Sequence, residues 1–186
     1  SSSSTSFLHM GNSFSPFVSS TTTFIVKVSD GVVTEAGVPD TTIGTTLNYN
    51  GTDVKGIRLM SLTPVTLATI DVFGSDSCVL YISLVHSTTK IASTNKSLII
   101  APGLNTIPLS FSIPGNVSYD LMISATAPLI ANISGFNYPL NISGSPVTIT
   151  GYVDSTFHST PDFINIYNMK FSTGCLSNNS NCTATV

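Results

Sequence analysis

Apolar and polar residues alternate along much of this chain with the two-residue period of a half-buried β-strand. The segment 117–127 shows the pattern best, with apolar residues at the odd positions and Ser, Asp or Thr at most even ones. We expect the odd positions to face a core and the even ones, Asp120 among them, to face water. Four other segments rich in β-branched residues also predict strands: 65–73, 78–86, 104–113 and 147–153.

Turn-forming residues separate these segments at intervals of roughly ten residues. Examples are Asn50-Gly51, Ala101-Pro-Gly103 and Pro114-Gly-Asn116. With no helical period in the chain, the pattern predicts an all-β fold, an antiparallel two-sheet sandwich of the Ig-like or pilin-like kind. A jelly roll is the second choice. Pro108 interrupts its segment and predicts a sheet edge or a bulge.

Composition narrows the functional classes. Charged residues make up 8% of the 186 residues, whereas Ser and Thr together number 54, so hydroxyl groups supply the polarity at any pH. The six Lys and Arg residues are scattered singly, which argues against nucleic acid as a partner. No apolar run reaches the about 18 to 20 residues of a membrane span. The N-terminus lacks the long apolar helix of type IV pilins and archaellins, and we expect a secreted chain in its mature form.

Sequons for N-linked glycans support an extracellular location. Seven of the fourteen Asn residues begin an Asn-x-Ser/Thr sequence, more than the about four expected by chance at this Ser and Thr content. The predicted glycan sites are Asn50, Asn95, Asn116, Asn132, Asn141, Asn178 and Asn181.

Three cysteines fit one disulfide and one remaining thiol. Cys175 and Cys182 flank a turn-rich segment and are the predicted pair, whose small loop would contribute about 2 to 3 kcal/mol. Cys78 shares a strand face with Leu80 and Ile82, which favours a buried core thiol. A bond from Cys78 to either of the other two is the alternative.

The sequence contains no Gly-x-Ser-x-Gly, phosphate-loop or His-Glu-x-x-His motif, so we predict no enzyme, no cofactor and no metal. The three histidines are far apart in sequence, and the abundance of Ser makes any match to a catalytic triad uninformative. Asp71 and Asp76 flank Gly74 as in a calcium loop, but turn formation is the commoner role of such residues.

The N-terminal segment is the most informative part of the sequence. Residues 7–18 lie between two hydroxyl-rich spacers, and Leu8, Met10, Phe14 and Val18 occupy even positions, as on one face of a strand. This predicts a tail, 1–20, that carries a detached strand at 7–18, and a sandwich head at 21–186 whose core includes Phe24–Val28. Burying those four side chains would give about 1.5 to 3 kcal/mol each, while ordering the segment costs about 1 to 2 kcal/mol per residue. Main-chain hydrogen bonds to an open sheet edge would have to make up the difference.

These features together resemble the thread subunits of thermoacidophilic archaea: no N-terminal helix, a detached strand, a Ser-, Thr- and Asn-rich sandwich and many sequons. The resemblance is architectural and covers the whole chain without a short diagnostic motif. It implies a fold similar to type I pilins and glycosylated cell-surface filaments of identical subunits, joined head to tail by donor-strand complementation. Leu8, Met10, Phe14 and Val18 would be the inserted side chains.

Two other classes remain open from the sequence. One is a monomeric Ig-like adhesin or surface-layer binding module, in which the tail would fold onto its own head. The other is a coat or spike protein of an archaeal virus, with closed or lattice contacts.

Overall fold

The structure is a computed structural model that describes residues 19–20, 22–26, 33–141, 144–156, 163–173 and 180–184. The described residues form fourteen β-strands and no helix. The strands are β1 (Thr22–Val26), β2 (Val33–Ala36), β3 (Thr46–Tyr49), β4 (Lys55–Ser61), β5 (Val65–Gly74), β6 (Cys78–His86), β7 (Ala92–Ile100), β8 (Gly103–Ile113), β9 (Val117–Ala125), β10 (Leu129–Asn132), β11 (Leu140–Asn141), β12 (Val147–Asp154), β13 (Tyr167–Ser172) and β14 (Ser180–Ala184).

The chain divides into two compact units. The smaller comprises Ser1–Asp30 and Cys175–Val186, and its strands β1 and β14 pair antiparallel with Phe24 opposite Cys182. The larger, Gly31–Gly174, contains the other strands. The sequence placed a boundary at residue 20 and Phe24–Val28 in the head, whereas the observed β1 pairs with β14. Local patterning could not reveal this pairing, because the two strands come from opposite ends of the chain.

The larger unit is an all-β sandwich of two antiparallel sheets. In its first sheet, β5 pairs with β8 along one edge and with β13 and β10 along the other, and β2 and β3 continue outward from those. The second sheet has the order β11-β12-β4-β9-β6-β7. The predicted strands at 65–73, 78–86, 104–113, 117–127 and 147–153 are confirmed as β5, β6, β8, β9 and β12 to within two residues.

One continuous apolar core joins both sheets. Side chains such as Leu67 and Ile107 from the first sheet and Ile82 and Leu121 from the second are at most 2% exposed. Cys78 lies in the same core as a free thiol, as predicted. Cys175 and the side chain of Cys182 lie outside the described residues, and their disulfide stays a prediction.

Two local predictions can be compared with the structure directly. The ladder between β5 and β8 shifts register between Leu67 and Thr69, and Thr69 is opposite Pro108, so the predicted irregularity is confirmed. The expectation that Asp120 faces water is wrong, because its side chain is completely buried. A carboxylate tolerates that position because cations from other segments reach it, as described below.

Candidate functional site

The predicted donor-strand residues Leu8, Met10, Phe14 and Val18 lie outside the described residues, so their insertion stays a prediction. What the structure does describe is the surface of the head: its sheet edges, its sequons and its charged groups. These features are the candidate functional sites of the described chain.

Four of the predicted glycan sites have exposed asparagine side chains. Asn50 and Asn116 lie in turns, Asn95 lies within β7 and Asn141 ends the short β11. The side chains of Asn178 and Asn181 lie outside the described residues. The structure therefore leaves the four exposed asparagines open to attachment of a sugar.

Asn132 differs from the other predicted glycan sites, because its side chain is completely buried in the folded chain. Its amide nitrogen donates to the carbonyl of Ile43 and, at 3.3 Å, to that of Thr41. Its amide oxygen accepts a hydrogen bond of 2.8 Å from the hydroxyl of Tyr167, whose pKa burial raises above its usual range. This nitrogen is the atom that would carry the glycan, and the folded chain has no room for a sugar there. The sequon motif missed this because it covers three residues and says nothing of tertiary packing.

One side of the sandwich is bounded by two long edge strands. Among the described strands, β7 pairs only with β6, and β8 pairs only with β5. The outer edge of each strand therefore has main-chain groups that bond to no other described strand. The two edges belong to different sheets and are joined by a short turn. Asn105 holds that turn, since its amide nitrogen donates to the carbonyls of Ala101 and Gly103 at 2.8 and 2.9 Å. An extended segment could add to either edge.

Lys96 connects these two edges. It alternates with exposed Asn95 and Ser97, so its side chain is directed inward, and its ammonium donates to the carbonyl of Pro108 on β8. Desolvation lowers the pKa of Lys96 below its usual range. The hydrogen bond from Lys96 to Pro108 links the two edge strands to each other. We refer to the side formed by β7 and β8 and spanned by Lys96 as the β7–β8 side.

Replacing Lys96 with methionine should change stability little at neutral pH, by no more than about 1 kcal/mol and in the stabilising direction. A lysine pKa that is lower in the folded state means that the charged form costs stability below that pKa. This cost disappears as the pH rises through the usual lysine range, so the advantage of Lys96→Met should shrink near pH 10.5. Urea titrations at pH 7 and pH 10.5 measure this difference. A variant less stable than the wild type at pH 7 would show that the hydrogen bond to Pro108 outweighs desolvation.

A buried charge cluster lies on the second sheet, at a place where the sequence predicted a wet face. The Asp120 carboxylate accepts hydrogen bonds from Arg58 at 2.7 and 3.2 Å and from the Ser87 hydroxyl at 2.7 Å, and Lys90 lies 3.3 Å away. Register explains the first contact, because Arg58 of β4 is directly opposite Asp120 of β9. The hydrogen bonds that Arg58 donates to the Asp120 carboxylate raise the pKa of Arg58. With all partners satisfied, the cluster is suited to holding β4, β9 and the β6–β7 turn together.

The ammonium group of Lys55 lies among aromatic rings. The Lys55 ammonium is 5.0 Å from the ring centre of Phe163 and 5.5 Å from that of Tyr152, and it donates to the Tyr152 hydroxyl at 3.0 Å. The neighbouring Tyr49 accepts from Asn165, and burial raises its pKa. Such cation–π contacts stabilise a partly desolvated ammonium. The chain's own Lys55 thus fills this cage.

The groups considered for catalysis have structural partners instead. His86 accepts at Nδ1 from the main-chain nitrogens of Thr88 and Thr89, both at 3.2 Å. Asp71 accepts from Thr106 and Asn168, and Asp76 caps its own turn. Within the described ranges, no three His, Cys, Asp or Glu side chains are placed to hold a metal ion. His9 and His158 lie outside those ranges.

Comparisons with known proteins give no family for the chain. No protein-family profile matches the sequence, and no curated protein matches it. Among solved structures the chain is similar to that of infectious bursal disease virus, Gx strain, at 12% identity over 89% of this chain and 42% of that chain, with a TM-score of 0.27. It is also similar to the VP2 subviral particle of infectious bursal disease virus, at 17% identity over 82% and 41%, with a TM-score of 0.24. The chain spans about two fifths of the solved chains it matches, and TM-scores this low carry no argument about function.

Among the described residues, there is no apolar helix of membrane-spanning length.

Proposed function

We propose that this chain is the structural subunit of an extracellular, glycosylated cell-surface filament that serves adhesion or cell contact. Identical subunits would join head to tail, with residues 7–18 of one subunit added as a strand to the head of the next. Head-to-tail contacts of this kind do not close on themselves and therefore build filaments. The proposal names no catalytic residues and no cofactor.

The observation that carries the proposal is the β7–β8 side. The donor segment 7–18 has twelve residues, which matches the eleven residues of β8 and exceeds the nine of β7. Pairing along a whole edge would supply the main-chain hydrogen bonds that side-chain burial alone cannot replace. The inward side chains of β8 are apolar and buried, so a donated strand would extend an existing core.

The exposed sequons support the extracellular part of the proposal. Asn50, Asn95, Asn116 and Asn141 are distributed over turns, one edge strand and one strand end. Glycans at such positions would cover a head whose own surface has few charges. This coat would keep neighbouring filaments apart without charge repulsion, which salt would screen.

Deleting residues 1–20 should convert filaments into monomeric heads of lower stability. Negative-stain electron microscopy and gel filtration of the full-length and shortened proteins measure the difference. A synthetic peptide of residues 7–18 should then bind the shortened head and raise its melting temperature. Full-length protein that stays monomeric would contradict the proposal and favour a binding module whose tail folds onto its own head.

A pair of point variants tests which face of the donor strand is inserted, a question that the deletion does not answer. Phe14→Asp puts a charge on the predicted inserted face and should abolish filaments, because burying an unpaired carboxylate costs several kcal/mol. Ser13→Asp adds the same charge at a neighbouring odd position and should leave them intact. Equal loss in both variants, seen in the same micrographs, would refute the proposed inserted face.

A further inference from the structure

The outer face of β6 and β7 has a shallow hollow of about 300 Å³. It is lined by three cross-strand pairs: Tyr81 with Ser97, Ile82 with Lys96, and Ser83 with Asn95. Tyr81, Asn95 and Ser97 are exposed, whereas Ile82 belongs to the core. Of the lining residues whose side chains lie on this outer face, Tyr81 is aromatic and the other three, Ser83, Asn95 and Ser97, are small and polar.

Tyr81 is unusual in this structure. At 48% exposure it is the single exposed aromatic side chain among the described residues, the rest being buried or half-buried. Its neighbours across the two adjacent strands, Ser97 and Ser124, are both small, so neither covers the ring. The face of the Tyr81 ring is therefore accessible to a group from outside the fold.

Asn95 is the sequon residue nearest to this ring along the sheet. It is opposite Ser83, two residues along β6 from Tyr81, so the two are diagonal neighbours on one face. Side chains in that relation are about 7 to 8 Å apart, which is within reach of long groups. A sugar attached to the Asn95 amide nitrogen would extend from the rim of the hollow toward the ring.

We propose that this hollow is a carbohydrate subsite for the glycan on Asn95, with the first sugar stacked on the Tyr81 ring. The apolar face of a pyranose carries C–H bonds with partial positive charge, and these match the negative face of an aromatic ring. Hydroxyls of Ser83 and Ser97 would bond the polar rim of the sugar. The inference rests on the glycosylated state in the proposed function and goes beyond it by naming the contact.

Neither Asn50 nor Asn116 nor Asn141 has an exposed aromatic side chain beside it within the described part of the chain. Glycans at those positions would project into solvent. The contact therefore makes Asn95 different from the other exposed sequons, because its glycan would contribute to stability and be held in one orientation.

The test is a double-mutant cycle on the full-length chain, produced in a host that attaches N-linked glycans. The variants are Tyr81→Ala, Asn95→Gln and both together, and mass spectrometry establishes occupancy of Asn95. In the glycosylated background Tyr81→Ala should raise the unfolding constant about 3- to 10-fold more than in the Asn95→Gln background. Tyr81→Phe keeps the ring and should retain most of the coupling.

An effect of Tyr81→Ala that is equal in both backgrounds, or an Asn95 that carries no glycan, would overturn the subsite. Its failure is distinguishable from failure of the filament proposal. Filaments without coupling would refute the subsite alone, whereas coupling in a protein that stays monomeric would refute the filament alone.

Discussion

Replacing Asp120 with asparagine is expected to lower the free energy of unfolding by about 3 kcal/mol. The carboxylate is completely buried and is bonded by Arg58 and Ser87 at 2.7 Å each. Asparagine has the same shape but no charge, and its amide hydrogens would oppose the donors around it. Breaking a buried ion pair costs about 3 to 5 kcal/mol of stability. We expect the lower value here because the Arg58 and Lys90 side chains are 29% and 37% exposed and can be partly rehydrated.

Urea denaturation of the shortened head or of the full chain measures this loss, and thermal scans should show a fall of about 6 to 12 °C. The matched control is Glu35→Gln, which breaks an exposed ion pair with Lys170 of 3.2 Å. The control substitution should lower the free energy of unfolding by less than about 1 kcal/mol. An Asp120→Asn variant as stable as the control would show that the cluster contributes no more than a surface ion pair.

Replacing Asn132 with alanine is also expected to lower the free energy of unfolding by about 3 kcal/mol, but for a different reason. The change removes a donor from the carbonyls of Thr41 and Ile43 and an acceptor from the Tyr167 hydroxyl. The Tyr167 hydroxyl is buried and would keep only its bond to the Ile164 carbonyl, and water would replace the bonds to the two part-buried carbonyls incompletely. The same denaturation series tests this, with Asn48→Ala as the control at an exposed asparagine of β3, where a change below about 0.5 kcal/mol is expected.

Glycopeptide mapping adds an independent measurement at the same residue. Peptides that contain Asn132 should be unmodified in the folded protein, although the sequon is intact. Occupancy of Asn132 would contradict the buried position described for it.

Strand prediction succeeded where the required information is local. The alternation in 117–127 and the β-branched run 78–86 each predicted one strand, because one buried face imposes a period of two. Pro108 predicted an irregular edge for the same kind of reason, since proline has no amide hydrogen to donate. These properties depend on a residue and its immediate neighbours.

The sequence failed where burial depends on distant partners. Asp120 interrupts a strand pattern as a polar residue should on a wet face, and nothing nearby shows that Arg58 will be opposite it. Asn132 matches a glycan motif, but loop residues about ninety positions earlier bury it. Lys96 and Tyr81 likewise take their roles from cross-strand neighbours. Of the candidate site, the sequence thus identified the exposed sequons but neither the β7–β8 side nor the hollow.

The pairing of β1 with β14 has a consequence for how the chain is made. Phe24 and Cys182 are opposite one another although they are separated by 158 residues, from 24 to 182. A chain that leaves a ribosome or an export channel N-terminus first exposes β1 long before β14 has emerged. The closing contact of the smaller unit is therefore the last to become available, and such long-range pairing is slow to form. Until then β1 lacks the strand that pairs with it in the folded chain, and its main-chain groups are open to pairing with other chains.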